Sequence, residues 1–270
     1  MKIKIIIITL IITIITFFLI SCSTIKPKLK GENLDVIKNI IFKKWEKESE
    51  KLDNININGL IKISGIKEVP NVFIKFSAYG SLKKGNIVLK LSFGNRDIME
   101  IIVYNFDKIL FLNHIGKQYM RFSFAEIDFS RFIGININPI EICYFALGKI
   151  PSSKNIELMD IKFESGLYVI GISDEVSKYT MYVNADYNII KAKIDNQYYG
   201  VTSIDSITYI KNSDGTHSTK SVSLSSDIGT RLSLIIDDIN YSNDKKIDIY
   251  NIPNYKKIEN INDLNLNLKF

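Results

Sequence analysis

The pattern of apolar and polar positions divides the chain into three parts. Residues 5–20 are apolar apart from three threonines and follow a short segment that carries two lysines. From Leu34 to Leu52, apolar residues recur at about helical spacing among lysines and glutamates, which predicts an amphipathic helix. From Asn54 onward the period shortens to two, as in half-buried antiparallel strands. The pattern therefore predicts a mainly β protein that begins with one helix.

The predicted strands form two series, one on each side of a short helical interval. Turn residues, such as those at 83–86, 94–97 and 184–186, separate neighbouring strands. About a dozen strands are expected in all. The first series covers 55–63, 72–78, 87–93, 98–104, 109–112 and 117–122, and the second covers 156–163, 167–172, 178–183, 189–194, 199–209, 218–224 and 231–236.

Between the two series, residues 124–132 and 139–147 break the alternation and predict two short helices. Pro139 suits a first helical turn, and Gly148 suits a helix end. A curved antiparallel sheet of this size must cover its concave apolar face, either by closing fully or by plugging the opening with helices. We expect an α+β fold in which a strongly curved antiparallel sheet forms an open or incomplete β-barrel. The plug would be the 34–52 helix and this mid-chain helical pair.

The first residues have the three parts of an export signal. Lys2 and Lys4 precede the apolar run, which ends in Leu-Ile-Ser-Cys at 19–22. This tetrapeptide resembles a bacterial lipobox, which implies cleavage before Cys22 and acylation of that cysteine. The length of the run leaves an uncleaved membrane anchor as the alternative, but the cysteine after a small residue favours a lipoprotein. Either way, the remaining chain is held at a membrane surface.

The domain organisation follows from these patterns. The chain after the leader has the length of one large β domain or two small ones, and we favour one. A helical plug that fits loosely would leave an apolar cavity able to hold an acyl chain. The predicted boundaries are 1–21 for the signal peptide, 22–33 for a lipidated tether, 34–239 for the open barrel and 240–270 for a polar C-terminal tail.

Charge and cysteine content narrow the function classes. The formal net charge is +6, and two of those charges leave with the leader. The remaining basic residues are scattered and form no arginine cluster, so we expect no nucleic-acid partner. With Cys22 acylated, Cys143 is alone, which excludes an internal disulfide and a cysteine-based zinc site. No phosphate-binding loop, His-x-x-x-His spacing or EF-hand loop occurs, so we expect no metal and no cofactor.

The residues that could support catalysis fit other roles better. His114 and His217 have no serine or cysteine in a recognisable nucleophile setting nearby. Cys143 lies in an apolar helical segment, where a buried and inert thiol is expected. The carboxylates at Asp237-Asp238, Glu126, Asp128 and Glu141 are expected to be solvated. We therefore expect that the protein is not an enzyme.

The helical interval carries a resemblance to a known family. In the run 134–151, positions Gly134, Pro139, Ile140, Phe145, Leu147-Gly148 and Pro151 resemble the helix-two signature of the LolB family of outer-membrane lipoprotein receptors. The hairpin at 87–103 and the order of lipobox, helix, meander and helical plug are also similar. The resemblance covers about residues 34–200. Residues 252–255 are in turn similar to the ending of an uncharacterised LolB-like lipoprotein group.

The resemblance implies an open barrel with a helical lid that receives lipoproteins from a periplasmic LolA-like carrier and delivers them to the outer membrane. It implies a location in the cell envelope, at the periplasmic face of the outer membrane. One position departs from the family. The receptor exposes a leucine in the turn after its third strand, whereas the matching turn here is Gly94-Asn95-Arg96-Asp97. Ile66 or Val69 could substitute for that leucine, or they could serve ordinary hairpin packing.

The sequence also suggests which side chains face the interior. The 14 tyrosines and 15 phenylalanines could fill a core or line a cavity. The assignment below depends on strand parity, because the opposite parity would turn the strand residues outward. The candidate acyl-chain cavity is lined by Ile74, Phe76, Leu89, Leu91, Phe93, Ile101, Phe111, Ile140, Tyr144 and Leu147.

Two functions remain open. The first is an outer-membrane-anchored protein that binds acyl chains or lipoproteins in lipoprotein localisation or lipid transport. The second is a structural or interaction lipoprotein with a filled core that binds partners through its surface. A connected cavity of several hundred Å³ under the helices would favour the first function.

Overall fold

A computed structural model describes residues 33–65, 73–123, 135, 137–151, 160–173, 177–196, 200–227, 229–241, 247, 252–259 and 263. The chain divides into two compact units, residues 1–33 and 34–270, and the elements below belong to the second. The predicted signal peptide and Cys22 lie outside the described residues, as do Ile66, Val69 and the predicted helix at 124–132. No helix in the described part is long and apolar enough to cross a membrane.

Two α-helices and fourteen strands make up the described secondary structure. Helix α1 is Leu34–Ser49 and continues into a 3-10 turn at Glu50–Asp53, and helix α2 is Pro139–Ala146. The strands are β1 Ile55–Ser64, β2 Phe73–Ser81, β3 Asn86–Phe93, β4 Arg96–Tyr104, β5 Lys108–Asn113, β6 Gln118–Ser123, β7 Asp160–Glu164, β8 Leu167–Ser173, β9 Ser177–Val183, β10 Ile189–Asn196, β11 Gly200–Lys211, β12 His217–Ser226, β13 Arg231–Asn240 and β14 Lys256–Lys257.

All fourteen strands belong to one sheet. Its order is β14-β6-β5-β4-β3-β2-β1-β13-β12-β11-β10-β9-β8-β7. Neighbouring strands run antiparallel except β14, which pairs in parallel with β6. The two series meet where β1 pairs with β13, and the described strands do not close into a complete barrel. This arrangement confirms the predicted open, mainly β architecture.

The core lies on the inner face of the sheet. Alternate residues of β1, such as Ile55 and Ile57, are fully buried there with Ile37 and Ile41 of α1. The pairing register with β13 shifts between Asn58 and Gly59, and a Cβ at Gly59 would overlap the carbonyl oxygen of Ile235. A bulge of this kind bends a strand and increases its twist, which helps the sheet to curve.

Helix α2 starts and ends as its sequence predicts. The Asn138 side chain accepts from the Glu141 backbone N–H at 2.9 Å, and the Glu141 carboxylate accepts from the Asn138 N–H at 2.9 Å. This reciprocal capping box, with Pro139 in the first turn, satisfies backbone donors that a helix start leaves unpaired. Glu141 is therefore not the freely solvated carboxylate that its sequence position suggested, and burial raises its pKa to about 7.

A second hydrophobic cluster lies on the outer face of the first series. Val88, Ile102, Leu110 and Leu112 are buried there beneath Ile247, Ile252 and Tyr255. The backbone N–H groups of Lys256 and Ile258 donate to the carbonyls of Lys117 and Tyr119 at 2.9 Å. The described part of the predicted polar tail thus lies along the sheet edge and covers apolar surface.

Every described helix and strand begins at or after Leu34, and every core residue lies between Ile37 and Ile258. A chain that begins at Ser23 therefore contains all of the described elements and their core. We take this chain as the folding unit for the experiments below.

Candidate ligand-binding cavity

A cavity of about 560 Å³ lies between α1, the segment that follows α2 and the inner face of β8–β13. Ligand pockets typically have volumes of about 300–1,000 Å³ and are lined mainly by apolar and aromatic side chains. About half of the lining residues here are polar, charged or glycine, and the other half are aliphatic side chains, one proline, one tryptophan and five tyrosines. The latter are Trp45, Leu52, Leu147, Ile150, Pro151, Ile172, Met181, Ile189, Ile239, Tyr144, Tyr179, Tyr187, Tyr209 and Tyr241.

The alternation of buried and more exposed residues along the strands of the second series determines which side chains form the floor of the cavity. Tyr179 and Met181 are two residues apart on β9, and both are buried. Ile172 of β8 lies directly opposite Tyr179 in the ladder. Side chains directly opposite each other on neighbouring strands share one face, so these three form a continuous apolar surface. The floor is therefore fixed by sheet register.

Tyr209 and Gly148 form one wall of the cavity. The Tyr209 hydroxyl donates to the Ile189 carbonyl at 2.7 Å, with the Gly148 carbonyl at 3.3 Å, and burial raises its pKa. Gly148 has a φ of 67°, which favours glycine. A Cβ there would lie 2.7 Å from both the Tyr209 hydroxyl and the Thr219 hydroxyl. The close approach of α2 to the sheet therefore depends on this glycine.

Two lysines fasten the elements around the cavity. The Lys44 ammonium donates to the carbonyls of Asp186 at 2.9 Å and Tyr187 at 3.2 Å, and to Asn188 Oδ1 at 2.7 Å. These contacts tie α1 to the β9–β10 turn, and burial lowers the pKa of Lys44.

Across the cavity, the Lys149 ammonium donates to the Glu48 carboxylate at 2.6 Å. Burial lowers the pKa of Lys149, and Glu48 opposes that effect. The pair ties α1 to the segment that follows α2. Helix α1 is thus held by polar contacts on two sides of the cavity.

The cavity mouth is marked by the lining residues that are exposed to solvent. Lys51 and Tyr241 lie there, with the Lys51 ammonium 5.7 Å from the centre of the Tyr241 ring. The β11–β12 turn contributes Asp214, whose carboxylate accepts from the Thr216 hydroxyl at 2.6 Å and the Thr216 N–H at 2.9 Å. The lining therefore changes from apolar at the floor to charged at the mouth.

The sequence-predicted cavity residues divide between this cavity and the packed core. Tyr144 and Leu147 line the cavity. Leu91 is partly buried against the core, and Phe93 is 44% exposed. The other six are buried core residues outside the lining, namely Ile74, Phe76, Leu89, Ile101, Phe111 and Ile140. Whether any of the ten contacts an acyl chain stays a prediction.

The packing of α2 explains this division. Helix α2 lies against β3 and β4 of the first series and also contacts β12 of the second, and its Phe145 is fully buried in the core cluster. The inner face of the first series is therefore filled. The open volume lies against the second series, whose floor residues Ile172, Tyr179 and Met181 were missed. Period-two alternation marked them as one face, but it does not reveal which half of a sheet a helix covers.

The residues considered for catalysis lie apart from one another. His114 is on the outer face, with Nδ1 2.9 Å from the Tyr255 hydroxyl. Cys143 is fully buried in α2, and burial raises the pKa of its thiol to about 12, which suits an inert side chain. His217 is exposed at the cavity mouth. Within the described residues, no group of three His, Cys, Asp or Glu side chains could hold a metal ion.

No protein-family model and no curated protein sequence matches the chain. Many solved structures match the chain, and three of them illustrate the shared fold. A putative outer membrane lipoprotein-sorting protein domain from Vibrio parahaemolyticus is 12% identical with a TM-score of 0.52, covering 76% of this chain and 92% of that one. A LolA superfamily protein from Nitrosomonas europaea is 12% identical with a TM-score of 0.51, covering 73% and 91%.

The third structure is a DUF1329 family protein from Desulfovibrio piger. It is 9% identical with a TM-score of 0.57, covering 80% of this chain and 96% of that one. Identities this low establish a likeness of fold alone. The chain has the LolA-like open-barrel fold, which confirms the superfamily resemblance drawn from the sequence at the level of the fold.

Proposed function

We propose that this protein binds acyl chains in the cavity beneath α1 and acts in lipoprotein localisation or lipid transport, without chemistry on its ligand. It would be a lipoprotein of the cell envelope, anchored through acylated Cys22 at the periplasmic face of the outer membrane. The observation that carries the proposal is the apolar-floored cavity of about 560 Å³.

The lining supports a long apolar ligand. Ile172, Met181 and Ile189 are buried at the floor, and no charged side chain is buried among them. Burying an acyl chain against such a surface removes apolar area from water, at about 25 cal/mol per Å². The Tyr209 hydroxyl near the floor already has a partner, the Ile189 carbonyl. The floor is therefore suited to hydrocarbon.

The fold supports a role in the envelope. One of the solved structures that share it is named for the sorting of outer membrane lipoproteins. The lipobox-like segment at 19–22 favours the same compartment for this chain. A periplasmic LolA-like carrier is the partner that this role would require.

Binding is better supported than delivery. Strand β3 ends at Phe93 and β4 begins at Arg96, so Gly94 and Asn95 form the tip of the turn that carries a leucine in the LolB family. The tip here is polar. The proposal therefore covers the capture of acyl chains and leaves their insertion into the outer membrane to a partner or to another surface.

The test is mass spectrometry of organic extracts from the natively purified chain 23–270. Lipid or acylated peptide should be recovered from the wild type and lost from Ile239→Glu, which places a carboxylate in the cavity lining. Ile210→Glu is the matched control, because Ile210 lies on β11, is 52% exposed and is outside the lining. It should retain the lipid, and circular dichroism should show that both variants fold.

A clean wild-type extract, with a lipid-soaked repeat also empty, would overturn the proposal. That outcome would favour the structural or interaction lipoprotein, and the search would move to surface partners. The anchor is tested separately by labelling cells with radioactive palmitate. Label should enter the full-length wild type and be absent from Cys22→Ser, which should also leave the membrane fraction.

A further inference from the structure

We infer that the ligand is a single-chain amphiphile with an anionic carboxylate or phosphate head. The acyl chain would lie on the floor of the cavity and the head at its mouth, near Lys51 and Lys149. This inference rests on the proposed acyl-chain function and narrows it to the transport of single-chain lipids, as distinct from triacylated lipoproteins.

The volume of the cavity limits the number of acyl chains. Pockets of about 300–1,000 Å³ typically enclose one drug-sized ligand. The cavity of about 560 Å³ lies in the middle of that range, which fits a ligand with one long acyl chain. A ligand with two or three long chains would leave much of its hydrocarbon in water.

The exposure of the lining fixes the orientation of the chain. Ile172, Met181 and Ile189 are each less than a tenth exposed and mark the closed end. Lys51 and the β11–β12 turn at 212–216 are at the solvent end. A chain that enters methyl end first buries its hydrocarbon and leaves its polar head among the charged residues.

Positive charge is in excess along the lining. Three lysines, Lys44, Lys51 and Lys149, face two carboxylates, Glu48 and Asp214. Glu48 is paired with Lys149 at 2.6 Å, and Asp214 accepts from Thr216 within its own turn. An anionic head would offset the remaining positive charge.

Lys44 and Lys51 lack the direct contact with a carboxylate that Lys149 has. Glu48 and Asp186 act on the charge of Lys44 from a greater distance, and Lys51 interacts in the same way with Asp214. The Lys44 ammonium is surrounded by three neutral oxygens. The Lys51 ammonium faces the Tyr241 ring. Neither forms an ion pair with a carboxylate in the part of the chain that the structure describes. Because the donors of Lys44 are already engaged, Lys51, exposed at the mouth, is the lysine better placed to turn toward a head group.

The single tryptophan of the chain gives a direct readout, because Trp45 lines the cavity. Its fluorescence would be followed while chain 23–270 is titrated, below micellar concentrations, with five ligands. These are palmitate, palmitoyl lysophosphatidylglycerol, zwitterionic palmitoyl lysophosphatidylcholine, uncharged monopalmitoylglycerol and a triacylated lipopeptide. Palmitate, the lysophosphatidylglycerol or both should bind most tightly, and the tighter of the two identifies the head as carboxylate or phosphate.

The variant Lys51→Gln measures the contribution of the charged head group to affinity separately from that of the acyl chain. An exposed charge pair contributes modestly, so anion affinity should fall about two- to fivefold, while monopalmitoylglycerol binding stays unchanged. Added salt should weaken the binding of the anionic ligands and leave the binding of the uncharged ligand unchanged. Lys193→Gln, at an exposed site on β10 away from the lining, is the matched control and should change neither affinity.

The outcomes separate this inference from the function on which it rests. Equal affinity for the anionic and uncharged single-chain ligands would overturn the anionic head and leave the acyl-chain function in place. Tighter binding of the lipopeptide than of every single-chain ligand would overturn the inference that the ligand has one acyl chain. No fluorescence change and no binding of any of the five would overturn the proposed function itself.

Discussion

Strands β3 and β5 differ from strands β9 and β10 in how many of their faces are covered. Ile87, Val88 and Leu89 are consecutive and all buried on β3, and β5 is buried at five consecutive positions from Ile109 to Asn113. On β9 and β10, buried residues alternate with more exposed ones along most of each strand. The first region has α2 inside and the C-terminal segment outside, whereas the second has water outside and the cavity inside. The first region is packed on both faces, whereas the second is packed less completely and borders the cavity.

The largest expected effect comes from removing a buried side chain from the first region, which is called the filled region below. Phe145→Ala removes a fully buried ring between α2 and the sheet, and should lower the free energy of unfolding by about 3–5 kcal/mol. Ile239→Ala, at the half-buried cavity lining, should cost about 1 kcal/mol or less, since it enlarges a space that is already open. Urea denaturation of chain 23–270 measures both. Equal losses would show that the two regions do not differ in packing.

The next effect concerns the boundary between the regions. Gly148→Ala combines a φ of 67° with a Cβ 2.7 Å from the Tyr209 and Thr219 hydroxyls, and should cost about 2–3 kcal/mol. Gly166→Ala is the matched control, because Gly166 has a φ of 85° and nothing within 4 Å of the added Cβ. It should cost about 1 kcal/mol. Thermal or urea denaturation measures both variants. If they lose similar free energies of unfolding, the residues around Gly148 accommodate the added methyl group at no further cost.

The comparison also shows what the sequence could predict. Period-two alternation and turn residues located the strands, and Pro139 and Gly148 located α2, because these signals are local. The lipobox-like segment, the domain boundaries and the absence of catalysis are still predictions. Of the residues predicted to line a cavity, Tyr144 and Leu147 line the one described here, whereas first-series residues such as Phe76 and Phe111 lie in the packed core. Which strands a helix covers depends on contacts between distant residues, such as Lys44 with Asn188, and no local pattern encodes them.

A smaller effect depends on pH and reports on the α2 end of the filled region. Burial raises the pKa of Glu141 from 4.5 to about 7, so the folded state favours its protonated form. The stabilisation is fully present below the unfolded pKa near 4.5 and is lost as pH rises through about 7. Glu141→Gln keeps an acceptor for the Asn138 N–H and cannot ionise. Because the side chain is partly exposed, the variant should gain on the order of 1–2 kcal/mol over the wild type between pH 5 and pH 8.

Urea titrations at the two pH values measure that difference directly. Asn138→Ala in the Glu141→Gln background controls for the cap itself, and its cost of about 1 kcal/mol should not change with pH. If the gain of Glu141→Gln is the same at pH 5 and pH 8, the carboxylate is ionised in the folded protein and the capping box outweighs burial.

The smallest effect concerns the outer cover of the filled region. Tyr255→Phe keeps the ring over the outer hydrophobic cluster and removes the hydroxyl that lies 2.9 Å from His114 Nδ1. A partly buried hydrogen bond of this kind contributes about 0.5–1.5 kcal/mol, so the variant should raise hydrogen exchange at the Ile258 amide, which donates to the Tyr119 carbonyl. Exchange in β9 and lipid binding should stay unchanged, because the cavity lies on the inner face against the second series. Faster exchange in β9 as well would show that the two regions open together. The regions would then differ in packing but not in local stability.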